Sequence, residues 1–293
     1  MTPHLFTPLR LRDVELRNRI FVSPMCQYSA EDGVPTDWHL VHLGSRAVGG
    51  AALVIAEKTA VVPEGRITPA CTGLWNDAQA RAFARITAFI AAHGAAPGVQ
   101  LGHAGRKASS SVPWLGGRAL TAAEGAWRTV GPSALPFAAG HPQPHALTPE
   151  EIEALVERYA EAARRAAVAG FQVVEIHAAH GYLLHQFLSP LSNRRDDEFG
   201  GSLENRTRFP LAIARAVREA FPASLPVFVR ISATDWVDGG WDLAQSIAFA
   251  RGLKEAGVDL VDCSSGGAVP DAKVPVAPGY QVPFAAAVRR EAG

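Results

Sequence analysis

His177, His180 and Tyr182 fall within six residues of one another, in the run VVEIHAAHGYLLHQFLSPLSNRRDDEFGGSLENRTRF from Val173 to Phe209. The run opens as a buried strand (Val173, Val174, Ile176) and delivers the three side chains where strand gives way to loop. Two imidazoles and a phenol at such a place can hydrogen-bond a carbonyl oxygen and supply a proton. The segment from Ser192 to Asn205 is charged and glycine-rich, too polar to be core. Further reactive side chains stand at the ends of other apolar runs. Cys26 follows Ile20 to Pro24, and Lys58 follows AALVIAE. Gln100 and His103 lie in GVQLGH, and Arg230 lies in PVFVRI. Each also has a plain structural reading. A free thiol is commonly a core filler. A buried amide such as Gln100 needs a partner, either backbone or ligand. Arg106-Lys107 reads as a solvated pair or as an anion or cofactor contact, and Arg230 is not to be buried without a partner.

The elements that would position these groups alternate. Leu5 to Arg19 reads as a hairpin cap turning at Asp13. Apolar runs at 20–24, 51–57, 98–103, 173–176, 226–231 and 258–265 read as strands, because a strand covered on both faces shows no polar alternation. Helical spacing follows in between. Thr36-Asp37 caps a helix to Val48, and Phe83, Ile86, Phe89 and Ile90 share a face between Asp77 and His93. Thr148-Pro149-Glu150-Glu151 is a capping box. Phe209, Ile213, Val217 and Phe221 recur every fourth residue, Asp242 caps another helix, and Phe284 and Val288 share the face of a last one. Ala104 to Leu147 is long and rich in Pro, Gly and Ser, a length that usually signals function or disorder.

Strand–helix alternation with apolar strands means parallel strands joined by crossover helices. Reactive residues at several strand ends favour a TIM-type (β/α)8 barrel, where those ends share one face. A doubly wound sheet would gather them only at its switch point, and no GxGxxG follows a strand. Six βα units are countable where a closed barrel needs eight, so the expectation is one domain over 1–293, incomplete at its C-terminus with strands seven and eight missing. The 293 residues are 48% hydrophobic with a formal net charge of zero. That balance supports neither a nucleic-acid nor a membrane partner. Three cysteines without a CxxC indicate no disulfide framework or zinc ribbon, and fit a reducing, cytoplasmic setting. No signal peptide or membrane-spanning run is present.

Five segments in order carry a resemblance: Pro24-Met25-Cys26-Gln27-Tyr28, Glu64 to Thr68, Gln100 to Lys107, His177 to Leu183, and Ser192 to Asn205. Together they resemble the Old Yellow Enzyme family of FMN-dependent ene-reductases over essentially the whole chain. The cysteine at 26 resembles its thermophilic-like, or xenobiotic-reductase, branch. The resemblance implies FMN at the carboxyl ends of the strands. It implies reduction of FMN by NADPH or NADH, then hydride transfer to the β-carbon of an activated alkene, a small-molecule α,β-unsaturated carbonyl or nitro compound.

By the same resemblance, His177 and His180 bind the substrate oxygen, Tyr182 donates the proton, and Tyr28 contacts substrate. Cys26 lies near the reactive edge of the flavin, and the backbone at Pro24 and Met25 approaches the ring. Gln100 and Arg230 hydrogen-bond its pyrimidine side. Lys58 stands where the family commonly has a small residue; its amine reaches the flavin or turns to solvent. The family's phosphate site lies on strands seven and eight, so the chain as given is expected to bind FMN poorly. Family members are often homo-oligomers. Competing readings are the amino-terminal barrel of a dienoyl-CoA reductase-type flavoprotein, a non-catalytic remnant, and a zinc hydrolase built on His177 and His180.

Overall fold

The computed structural model describes residues 3–293. A hairpin, β1 (Leu9–Leu11) and β2 (Val14–Leu16), comes first. Then come β3 (Phe21–Val22), α1 (Asp37–Val48), β4 (Leu53–Ala60), α2 (Asp77–Ala92) and β5 (Ala96–Gly102). The segment after β5 carries two short paired strands, β6 (Val130–Gly131) and β7 (His145–Ala146). The chain continues through α3 (Pro149–Val168), β8 (Val173–Ala178), α4 (Leu183–Leu188), α5 (Leu203–Ala220), β9 (Val227–Ser232), α6 (Leu243–Glu255), β10 (Leu260–Ser264) and α7 (Val282–Ala292).

Six strands form one parallel sheet in the order β3-β4-β5-β8-β9-β10. Sequential order with a helix in each major crossover gives the β/α-barrel arrangement, here an open arc, as the alternation requires. Outward-facing strand residues (Val54, Val99, Val174, Ile176, Val229) merge with helix residues such as Phe83, Tyr159, Phe209 and Phe249 into the main core. Inward-facing residues at the amino-terminal end (Leu53, Ile55, Ala96, Val173, Phe228) pack on Val14 and Leu16 of the hairpin.

The hairpin is tied down by arginines. Arg12 donates to Asp259 and to the Ala223 and Gly257 carbonyls, and Arg17 donates to those of His93, Ala47 and Ala51. These carbonyls lie before the strands begin, so the hairpin covers the amino-terminal mouth and leaves the carboxyl ends open. The caps read at Thr148 and Asp242 form, each accepting a backbone N–H three residues on, and Asn76 and Ser202 cap α2 and α5 in the same way.

Two expectations fail. Ser192 to Asn205 is not wholly outside the core. Ser192 and Asn193 are buried, with Asn193 Nδ2 donating to the Phe187 and Phe199 carbonyls and Ser192 Oγ to that of Gln186. A tight buried turn leaves carbonyls that only polar side chains can satisfy. Arg106 and Lys107 are not a solvated pair. Arg106 donates to the carbonyls of Leu135, Pro136 and Ala268, and Lys107 to those of His180 and Gly267. They tie the long loop to the loop after β10 instead of waiting for an anion.

Candidate active site

The strand ends converge. His177 stands one residue before the end of β8, pairing in register with Arg230 of β9, which pairs with Asp262 of β10. Gln100 of β5 lies between Lys58 of β4 and Glu175 of β8. Period-two alternation therefore puts Gln100, Glu175, His177, Arg230 and Asp262 on the inner wall.

The two histidines form a directed chain. His177 Nδ1 accepts the Ala179 N–H at 3.2 Å, so its proton sits on Nε2, 3.3 Å from His180 Nδ1. His180 Nε2 lies 2.7 Å from Ser264 Oγ. Burial, with Arg230 next for His180, lowers both pKa values, His180's to about 3. Both rings are neutral near pH 7. A hydroxyl both donates and accepts, so Ser264 can hold His180 in either tautomer. With Ser264 donating to Nε2, the His180 proton moves to Nδ1. Nδ1 of His180 and Nε2 of His177 then present two donors to one oxygen.

Backbone geometry holds this pair in place. His180 has φ +57° and Gly181 φ +71°. A left-handed conformation at a non-glycine is uncommon and persists only where its surroundings determine it. Here the His180 N–H donates to Ser232 Oγ at 2.9 Å, its carbonyl accepts from Lys107 Nζ at 2.9 Å, and the Gly181 N–H donates to His185 Nδ1 at 2.8 Å. A Cβ at Gly181 would overlap the Gly267 carbonyl. Tyr182 follows at once, its ring edge-on to His177 with centroids 4.9 Å apart. Burial drives its pKa well above that of free tyrosine, so it keeps its proton.

Across the mouth, Cys26 and Tyr28 pack with Tyr182, Cys71 and Ile67. The segment that carries them is anchored by a buried pair. His39 Nδ1 accepts the Thr36 N–H at the start of α1, and its Nε2 meets Glu57 Oε1 at 3.1 Å. The same Glu57 oxygen accepts the Gln27 N–H at 3.2 Å. Burial, then the charges of Cys71 and Glu57, push the Cys26 thiol up. Lys58 corrects one reading: it is 2% exposed and does not turn to solvent. Its amine donates to the Gly65 carbonyl at 2.6 Å and lies 6.0 Å from the Tyr182 ring centroid. A register shift between Ala56 and Lys58 re-aims it inward, level with Gln100. Met25 is half-exposed at the rim. His103 accepts the Gly105 N–H within the loop, with burial lowering its pKa to about 3.

Several functional supports escaped sequence reasoning: Ser232 and Ser264, Glu175, Asp262, and the His185–Asp235 pair. Their strand-end positions were a signal for the serines. Among the described residues no three His, Cys, Asp or Glu converge on a metal-sized site.

The model of the NADH:flavin oxidoreductase / NADH oxidase family matches residues 4–287. The chain belongs to that family. It is 46% identical over 294 residues to an NADPH dehydrogenase of Bacillus subtilis strain 168, covering 100% of this chain and 82% of the relative. An old yellow enzyme homologue from Zymomonas mobilis superposes with a TM-score of 0.80 at 29% identity, covering 99% of this chain and 80% of the other. Morphinone reductase in complex with tetrahydroNAD gives 0.79 at 32%, covering 99% and 78%. The Old Yellow Enzyme resemblance, the β/α-barrel fold and the assignment as an NAD(P)H-dependent flavin oxidoreductase with FMN as cofactor are thereby established. Among the described residues no helix is long and apolar enough to cross a membrane.

The residues fit the cofactor. Arg230 Nε is buried without a hydrogen-bond partner, although Asp262 Oδ2 stands 3.2 Å away, out of line. Beside it, Gln100 spends only its Nε2 within the protein. A guanidinium and an amide with unspent capacity suit a ring edge of alternating carbonyls and N–H.

Proposed function

We propose that the enzyme is an ene-reductase for activated alkenes, acting on small α,β-unsaturated carbonyl or nitro compounds, with residues 1–293 forming one FMN-binding β/α unit. The observation that carries this is the His177–His180 pair: two neutral imidazoles 3.3 Å apart, each able to aim an N–H at one oxygen. Bound FMN supplies the hydride, renewed by NADPH or NADH. Gln100 and Arg230 would hold its pyrimidine side, where the permanent Arg230 charge offsets negative charge. The Pro24 and Met25 backbone, Cys26 and Lys58 would border the ring.

The chain's own groups act on the substrate. As the β-carbon accepts hydride, negative charge grows on the carbonyl or nitro oxygen. His177 Nε2–H and His180 Nδ1–H would meet it as preorganised donors in a dry site. Neutral imidazoles polarise the double bond without giving up a proton first. Tyr182, which retains its phenolic proton, would deliver it to the α-carbon. Tyr28, Lys107 and Phe137 line a cavity of about 130 Å³ beside Tyr182 that would receive the rest of the substrate.

Rapid mixing separates the two half-reactions. Tyr182→Phe is expected to leave flavin bleaching by NADPH intact and to slow reoxidation by 2-cyclohexenone about 10²-fold, the usual worth of one positioned acid. His177→Ala with His180→Ala is expected to weaken enone binding. Unchanged enone reoxidation in all these variants would exclude this reading.

A further inference from the structure

Beneath the histidine pair, the inner wall holds a layer with more acid than base. β8 brings Glu175, β9 brings Arg230 and β10 brings Asp262, with Gln100 facing in from β5. Glu175 is 1% exposed. Lys58 of β4, level with Gln100, is committed to the Gly65 carbonyl, and Glu57 to His39 and the Gln27 N–H. Ser23 from the β3 side has no charge. Arg230 is thus the cation this layer offers to both acids. It stands against Asp262 at 3.2 Å, while Glu175 receives the Gln100 Nε2 hydrogen bond at 2.8 Å.

Of the two carboxylates that share this guanidinium, Asp262 keeps 31% of its side chain exposed while Glu175 is buried, so desolvation disfavours the negative charge on Glu175 most. Asp262 has the nearer claim on Arg230. The proton therefore goes to Glu175, in agreement with a carboxyl raised to about 8 by burial and by Asp262, against the opposing pull of Arg230 and Gln100.

We propose that Glu175 is a positioning residue for the flavin: as a neutral carboxyl it anchors Gln100 and leaves the Arg230 charge free to act on the ring. This rests on the reading that Gln100 and Arg230 face the cofactor. Glu175 touches neither substrate nor cofactor and acts through these two side chains. Its loss of a proton places a second negative charge beside Arg230. That opposes the electrons the flavin must accept, so the midpoint potential falls as pH rises past the Glu175 pKa.

The test uses the FMN-loaded protein with Glu175→Gln, which keeps an acceptor for Gln100 but cannot ionise, and Glu175→Leu, which removes the acceptor. The readouts are FMN dissociation constant, midpoint potential from pH 6 to 10, and thermal melting. Below about pH 7, wild type and E175Q are expected to share one potential. Above about pH 8, wild type is expected to fall below E175Q, because only wild type gains the extra negative charge. E175L is expected to bind FMN about tenfold more weakly, the cost of one lost hydrogen bond with its donor left buried.

Potentials of wild type and E175Q that coincide at every pH overturn the proposal, whether or not E175L folds. Gln100→Ala and Arg230→Met separate the two levels of argument. If they alter FMN affinity and potential while E175Q matches wild type throughout, only the role of Glu175 falls. If they too change nothing, the cofactor assignment of Gln100 and Arg230 falls, and the proposal with it.

Discussion

Removing the Asp235 carboxylate should loosen the turn that carries His180 and Tyr182. Asp235 and His185 are both fully buried, 2.8 Å apart. Asp235 Oδ2 also accepts Ser189 Oγ at 2.6 Å and the Trp241 N–H at 2.8 Å, and the far side of His185 accepts the Gly181 N–H. Asp235→Ala leaves the Ser189 hydroxyl and the Trp241 N–H without their acceptor and His185 without its buried carboxylate neighbour. Each buried orphan costs roughly 1–3 kcal/mol, and a broken buried pair about 3–5 kcal/mol in total. With an unfolding entropy of about 2 cal/mol/K per residue, a chain of 293 residues loses about 1.6 °C of Tm per kcal/mol, so the expected drop is ~5–8 °C. Asp235→Asn keeps one acceptor oxygen and should lose about half as much.

The pH dependence has a definite sign. Burial alone would raise the Asp235 pKa, but His185, Ser189 and the Trp241 N–H outweigh it and hold it below the ordinary 3.8. A depressed carboxylate contributes stability above its unfolded pKa and loses it as pH falls through the folded one. The gap between wild type and D235N should therefore be constant from about pH 8 to 5 and close only below about pH 4. Differential scanning fluorimetry across pH measures this. Enone reoxidation kinetics should show KM rising more than flavin bleaching slows, since the proposed function sets the substrate against His180 and Tyr182 on the Gly181 turn. A D235A melt within about 1 °C of wild type would refute the reasoning, because neither the buried donors nor His185 could then have depended on that carboxylate.

Other consequences follow from the same burial. His103 and His180 have pKa values near 3, and His177 lies well below its ordinary 6.5. In the unfolded chain all three take up protons below about pH 6.5, so stability should fall on acidification from about 6.5 toward 3, by at most about 1.4 kcal/mol per pH unit for each ring. Urea unfolding at pH 7, 6 and 5 measures the slope, and a flat profile would place the rings in contact with water. The Cys26 thiol, pushed up by burial, should resist iodoacetamide at pH 7.5 in the native protein and react once denatured. Mass spectrometry reads both states, and rapid native alkylation would contradict the protonated thiol.

Much of the barrel could be read along the chain because its signals are local. The runs at 51–57 and 173–176 are apolar on both sides, as strands between two packed layers must be, and the helices between them show their own spacing and caps. α4 was not legible: LLHQFL is short and buried all round, so it has no polar face to reveal a period. The types of the site residues, and their place at strand ends, were equally legible. Their partners were not. Gln100 meets Glu175 across 75 positions, His180 meets Ser264 across 84, and His185 meets Asp235 across 50, read directly from their numbers.

Sequence alone therefore determined the repeating strand–helix order, the hairpin cap and the inventory of imidazole, phenol, thiol, amide and guanidinium at one face. Tertiary structure decided what each group is free to do. It committed Lys58, Arg106 and Lys107 to carbonyls, neutralised His177 and His180, left capacity on Gln100 and Arg230, and set Glu175 beneath them. The physical reason is that residue type fixes which protons and charges a side chain can carry. Burial, and the partner that strand register places opposite it, fix which of them it keeps.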